Sequence, residues 1–91
     1  MKYEWDERKN ASNFKKHGLY LADGVAVLTD EHRIEFKDSR FDYGETRIIT
    51  IGRLMDEVIA VAVHTDRDGA TRIISVRKAN RKERTVYYGH N

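Results

Sequence analysis

Ninety-one residues, 40% of them hydrophobic, suffice to close one core and are too few for two, so the chain reads as a single domain over 1–91. It has no cysteine, which excludes a disulfide framework, a thiolate metal site and a cysteine nucleophile, and fits a reducing compartment. The formal net charge is only +2, and the longest apolar run, residues 58–63, is far short of a membrane span with no signal-like apolar region near the start, so the expectation is a cytoplasmic protein without membrane contact. Residues 1–5 form a short alternating segment. Asp6 then suits the N-cap of a helix over 7–17, with acid leading, Lys15, Lys16 and His17 at the end where they complement the helix dipole, and Gly18 as its stop. The stripe at positions 10, 13, 14 and 17 reads Asn, Asn, Phe, His, too polar for a core-facing stripe, and such an inconsistency often marks a site. Leu21, Val25 and Leu28, with Ala22 and Ala26 beside them, predict a more buried helix over 20–28, although Asp23-Gly24 also reads as a turn. The period then changes to two. Residues 33–37 alternate as an edge strand does, 38–46 form a polar loop containing Gly44, Arg47 to Gly52 opens the next strand, and 58–63 is apolar on both faces, as in a central strand.

Asp68-Gly69 supplies the positive φ that a two-residue turn needs, and predicts a hairpin of 58–66 with 71–78. Strict alternation from that turn pairs Arg67 with Ala70, His64 with Ile73, Ala62 with Ser75 and Ala60 with Arg77. His64, Ser75 and Arg77 then share a face above the small Ala60 and Ala62, the outline of a groove floor, while Val61, Val63, Ile74 and Val76 make the other face an apolar core. A bulge would exchange the two faces. Past the strand, Asn80 and Glu83 have capping-box spacing and Ala79, Glu83 and Tyr87 fall on one helix face, so a C-terminal helix starts near Asn80. Residues 71–91 hold six Lys or Arg against one acid, Glu83, a local +5 that leaves −3 on the rest. That run suits a solvated helix face or an anionic partner such as RNA or an acidic peptide.

Trp5-Asp6, then Lys9, Asn13 and Lys16-His17-Gly18, later Gly44-Glu45 with Arg47, then Thr65 and Arg67, and finally 72–77 with Ala79, Glu83 and Tyr87, together resemble the BrnT toxin family over nearly the whole chain. Val76 stands where that family usually has alanine, and 20–24 is less helix-favouring than the acid-rich start expected there. The resemblance implies an α+β, RelE-like fold in the order β-α-α-β-β-β-β-α, a mainly antiparallel sheet packed by helices, which agrees with the order read from the residues. It also implies a ribonuclease toxin of a bacterial type II toxin-antitoxin pair, inhibiting growth or translation. Its partners would be an RNA substrate and a small BrnA-like antitoxin, with DNA met only through the antitoxin, and the toxin is compatible with a homodimer inside a toxin-antitoxin heterotetramer.

Cleavage of RNA by its own 2′-hydroxyl needs a group to take that proton, cations for the charged phosphorane and an acid for the 5′-oxygen. None of these requires a metal or another cofactor, and His17, His32, His64 and His90 lack ligand spacing. Arg77 and Arg67 are the first choices for phosphate clamps, because the planar guanidinium donates in pairs and stays charged. His17 is the acid or base and Lys16 polarises the phosphate beside it. Arg47, Arg72, Ser75, Arg81 and Arg84 complete the expected RNA-binding set. Plainer roles stand beside these: Arg77 paired with Glu83, Arg67 as an ordinary turn-flanking arginine, His17 as a helix cap, His64 as a satisfied core histidine, Glu45 as the partner of Arg47, and Tyr87 as core. A non-catalytic binding module and a metal-dependent nuclease remain the competing functions.

Overall fold

The computed structural model describes residues 2–90, His90 by its backbone only; Met1 and Asn91, the ends of two stretches singled out above, lie outside it. The elements follow the expected order: β1 (Lys2–Glu4), α1 (Glu7–His17), a 3-10 turn (Leu21–Asp23), α2 (Gly24–Thr29), β2 (Ile34–Lys37), β3 (Ile48–Met55), β4 (Val58–Arg67), β5 (Ala70–Lys78) and α3 (Arg81–His90). The five strands lie in the order β1-β5-β4-β3-β2, with β1 parallel to β5 and every other pair antiparallel. β4, apolar on both faces, is therefore the centre.

Asp6 caps α1 as expected, its carboxylate accepting from the backbone N–H groups of Arg8 (2.8 Å) and Lys9 (3.3 Å), and Gly18 ends it at φ 73°. Asn13 is the only buried residue of that helix. β1 stops opposite Arg72, which leaves the edge of β5 unpaired from Ile73 onward. The Asn13 amide substitutes for the missing strand: Nδ2 donates to the Val76 carbonyl (2.8 Å) and to that of Leu19 (2.8 Å), and Oδ1 accepts from the Val76 N–H (3.1 Å). Asn10 does the same on a smaller scale, its Oδ1 accepting from the Leu21 N–H at 2.8 Å. The polar stripe at 10 and 13 is thus structural rather than a site in itself, because buried backbone groups must be paired.

The helix expected over 20–28 is broken at its start, where Tyr20 N–H is tied to Asp23 Oδ2 (2.8 Å) and one 3-10 turn precedes α2. Gly24 lets this segment sit close to the sheet, since a Cβ there would lie 3.0 Å from Val76 Cγ2. Leu21 and Val27 bury themselves against Ala60, Ala62, Ile73 and Val76, so the small alanines are the floor of a helix-covered core and not of a groove.

The hairpin explains that reversal. Asp68 and Gly69 take φ of 51° and 78°, and pairing runs as expected from Arg67 with Ala70 to His64 with Ile73. A bulge then adds one residue to β5, so Ser75 faces Val63, Val76 faces Ala62 and Arg77 faces Val61. The expected partnership of Ser75 with Ala62 and Arg77 with Ala60 is incorrect. Ser75 and Arg77 leave the face of His64, which is covered by α2, and join the opposite one. There α3 lays the buried Tyr87 against Ile51, Ile59, Val61 and Ala79, and the Tyr87 hydroxyl donates to Asp30 Oδ2 at 2.5 Å.

Candidate active site

The end of α1, the bulged half of β5, the start of α3 and the loop after β2 enclose a cleft of about 470 Å³. Lys16, His17, Arg40, Ser75, Arg77 and Glu83 form its walls, and Ile49, Val61 and Val63 its floor. The bulge carries Ser75 and Arg77 there, and the Asn13 clamp on Val76 fixes the helix that brings Lys16 and His17 beside them.

Arg77 meets Glu83 end-on, Nη1 to Oε1 and Nη2 to Oε2 both at 2.7 Å. Glu83 is itself held by the expected capping box, Oε1 accepting from Asn80 N–H (2.9 Å) while Asn80 Oδ1 accepts from Glu83 N–H (2.8 Å). This two-point pairing holds the Glu83 carboxyl below its ordinary range and raises the Arg77 guanidinium above its own. The plainer role foreseen for Arg77 is therefore real. Even so, its Nε–H and its outer Nη2 hydrogen are not used by Glu83, and the side chain keeps 39% exposure at the cleft. His17 is pushed the other way. Desolvation first, then the positive charges of Lys16 and Arg77, lower its pKa from 6.5, which favours the neutral imidazole at neutral pH.

Other expected site residues lie elsewhere on the same sheet face. Arg67 stands at the hairpin end of β4, six residues along the strand from Val61, the partner of Arg77, roughly 20 Å away. It pairs with Glu45 (2.8 Å), which also takes the Arg47 Nε–H (3.1 Å), while the Arg47 guanidinium lies 3.9 Å from the Tyr43 ring centroid. Glu45 is thus the paired carboxylate foreseen, shared between two arginines. Arg72 is 3.8 Å from Glu4 beside β1, and Arg84 donates to the Ala79 carbonyl at 2.8 Å. Arg81 is exposed on the first turn of α3. Lys16, His17, Ser75 and Arg77 are brought into one cleft; Arg47, Arg67, Arg72, Arg81 and Arg84 do not line it.

The reading from sequence overlooked Arg40 and its holder Asp38, which sit in an irregular loop where periodicity carries no signal; their two-residue spacing was the available hint. His64 is less well served than foreseen. Its Nε2 lies 3.4 Å from Thr50 Oγ1, but Nδ1 has no hydrogen-bond partner among the described residues and stands 3.8 Å from Asp66. Burial lowers its pKa from 6.5, and it faces away from the cleft. Among the described residues, no three His, Asp or Glu side chains are grouped to hold a metal ion.

Residues 5–83 match the family model for the ribonuclease toxin BrnT of type II toxin-antitoxin systems. The crystal structure of the Brucella abortus ribonuclease toxin BrnT superposes with a TM-score of 0.69 at 30% identity, over 89% of this chain and 99% of that one. No curated protein matches the chain significantly. The chain belongs to the BrnT family of ribonuclease toxins of type II toxin-antitoxin systems.

Proposed function

We propose that the chain, working as one 1–91 unit in the cytoplasm, cleaves RNA at the cleft by attack of the 2′-hydroxyl on its own phosphate, without a metal. The observation that carries this reading is the meeting of Lys16 and His17 with Ser75 and Arg77 around one apolar-floored cleft. His17, with its pKa lowered, is the base: its unprotonated ring nitrogen takes the 2′-hydroxyl proton as the 2′-oxygen attacks phosphorus. Arg77 donates to the non-bridging oxygens, whose charge grows in the transition state, from a position that Glu83 fixes beforehand. The bond from phosphorus to the 5′-oxygen breaks, and the Lys16 ammonium supplies the departing oxygen with a proton. The products are a 2′,3′-cyclic phosphate and a 5′-hydroxyl.

Arg47, Arg67, Arg72, Arg81 and Arg84 steer and hold the flanking strand rather than act on the scissile bond. A BrnA-like antitoxin silences the toxin by covering the cleft mouth, in a complex compatible with two copies of each protein, and DNA is met through the antitoxin alone. A binding module without chemistry is the second reading, because the Arg77–Glu83 pair would equally preorganise an anion-binding surface. Incubating the purified chain with single-stranded RNA in excess EDTA separates the two. Cyclic-phosphate ends that vanish with His17→Ala support cleavage; intact RNA that still binds supports the module, and activity restored only by added divalent ions overturns the metal-free route.

A further inference from the structure

We propose that Arg40 is a second phosphate-binding residue of the cleft, aimed by the buried carboxylate of Asp38 as a positioning residue. The inference rests on the reading of the cleft as an RNA site. Arg40 lies on the loop between β2 and β3, yet lines the same cleft as His17 and Arg77. Its Nε donates to Asp38 Oδ1 and its Nη2 to Oδ2, both at 2.9 Å. One edge of the guanidinium is thereby occupied, and both Nη1 hydrogens with the remaining Nη2 hydrogen stay unused by Asp38.

The two side chains differ sharply in environment, Arg40 being 63% exposed and Asp38 1%. Asp38 also accepts from the Arg40 backbone N–H (3.2 Å) and the Tyr43 hydroxyl (3.0 Å), and its own N–H donates to the Arg47 carbonyl (2.8 Å). The Arg40 bonds hold its carboxyl well below the usual carboxylate range, so it remains ionised at any pH where RNA is stable. A buried anion this thoroughly hydrogen-bonded fixes the loop, and an arginine gripped along one edge has lost much of its rotamer freedom before any ligand arrives. Arg77 is likewise held by a carboxylate, end-on by Glu83 with Nη1 also donating to the Lys78 carbonyl (3.4 Å), which leaves its Nε–H and one Nη2 hydrogen unused by these partners. The charge of Arg40 is felt at Arg77 as a repulsion. Two preset guanidiniums that repel across a cleft are brought into balance by an anion between them, and a phosphodiester supplies it.

The test uses a single-stranded oligoribonucleotide and its analogue with 2′-O-methyl groups, which binds but cannot be cleaved. Affinity for the analogue is read by fluorescence anisotropy over a salt series, and kcat and KM on the parent in EDTA. Arg40→Gln should weaken analogue binding about tenfold or more and reduce the slope of log affinity against log salt by about 0.7, the value for one single-strand phosphate contact. Arg40→Lys should restore most of the slope but only part of the affinity, because a lysine keeps the charge and loses the fork. Asp38→Asn keeps the arginine and should keep the slope while lowering kcat/KM, with circular dichroism confirming the fold. Wild-type affinity and slope in folded Arg40→Gln overturn the proposal. If the wild type binds the analogue through Arg40 yet does not cleave the parent, the ribonuclease reading fails and the Arg40 site stands. A wild type that binds no RNA sinks both.

Discussion

Asn13→Leu is the sharpest test of how the cleft is held together. Leucine has nearly the shape of asparagine but none of its polar atoms, so the change leaves the Val76 N–H, the Val76 carbonyl and the Leu19 carbonyl without the partners they now have at 3.1, 2.8 and 2.8 Å. Val76 is fully buried, so its two groups cannot turn to water, whereas Leu19 is partly buried and can. At about 1–3 kcal/mol for each buried orphan, the loss should be roughly 2–6 kcal/mol. That is a large share of the approximately 5–14 kcal/mol expected for a chain of this length. Thermal melting should therefore drop by about 8 °C or more, since ~1 kcal/mol moves a domain of this size by ~4–8 °C. Asn13→Asp is the companion variant: it keeps the acceptor for the Val76 N–H but sets a carboxylate against two carbonyls, so it should be destabilised at neutral pH and partly recover when protonated in acid. Urea titrations followed by circular dichroism give both values. A loss below about 1 kcal/mol for Asn13→Leu would mean that the β5 edge is served equally well by water, and that Asn13 does not fix α1 on the sheet.

Arg77→Ala should leave the fold intact while lowering the cleavage rate by about 10²–10³, the usual cost of removing a transition-state donor; wild-type rates in a folded variant would remove Arg77 from the mechanism. The acid limb of kcat/KM should fall below pH 6.5, because His17 is depressed from that value and the neutral imidazole is lost only as pH drops through the lowered pKa. Lys16→Gln removes one of the opposing charges together with the proposed proton donor, so the rate should fall while the limb of the residual activity shifts upward towards 6.5; a limb that does not move denies the coupling. Expression without antitoxin should arrest growth, relieved by His17→Ala or Arg77→Ala, and healthy growth at confirmed high expression would count against toxicity. Antitoxin and a non-cleavable RNA should exclude one another, with antitoxin affinity weakening as salt rises and on Arg81→Glu with Arg84→Glu. Simultaneous binding at full affinity would show that inhibition acts from outside the cleft.

The fold was legible wherever a local rule and the tertiary need agreed. Asp6, Gly18, Asp68-Gly69 and the Asn80–Glu83 box each satisfy backbone groups within a few residues of themselves, so the sequence carries the whole interaction. What could not be read was set by distant partners. The Asn13 amide looked like a functional anomaly on α1 because its reason, the bare edge of β5, lies 63 residues away. Arg40 was silent for a related cause: nothing in an aperiodic loop shows that Asp38 is buried or that the loop reaches the cleft of Arg77. Lys16, His17, Ser75 and Arg77 were singled out through residue chemistry and family resemblance, and the sheet groups them.

The β5 bulge shows why Ser75 and Arg77 were expected on the wrong face of the sheet. Alternation assigns faces by parity, so one inserted residue reverses every assignment beyond it. Before the bulge, Arg72 faces outward with Thr65 and Arg67; without it, Ser75 and Arg77 would have continued on the inward face with His64 and Ala62, beneath α2. Two polar side chains would then be buried in a core sized for alanine, at a cost of several kcal/mol for the guanidinium alone. The sequence therefore leaves the strand two choices, to bury Arg77 or to bulge. Val76 decides between them, because the bulge that exposes Arg77 is also the one that returns an apolar residue to the core, against Gly24 and Ala62. The same extra residue both closes the core and opens the cleft.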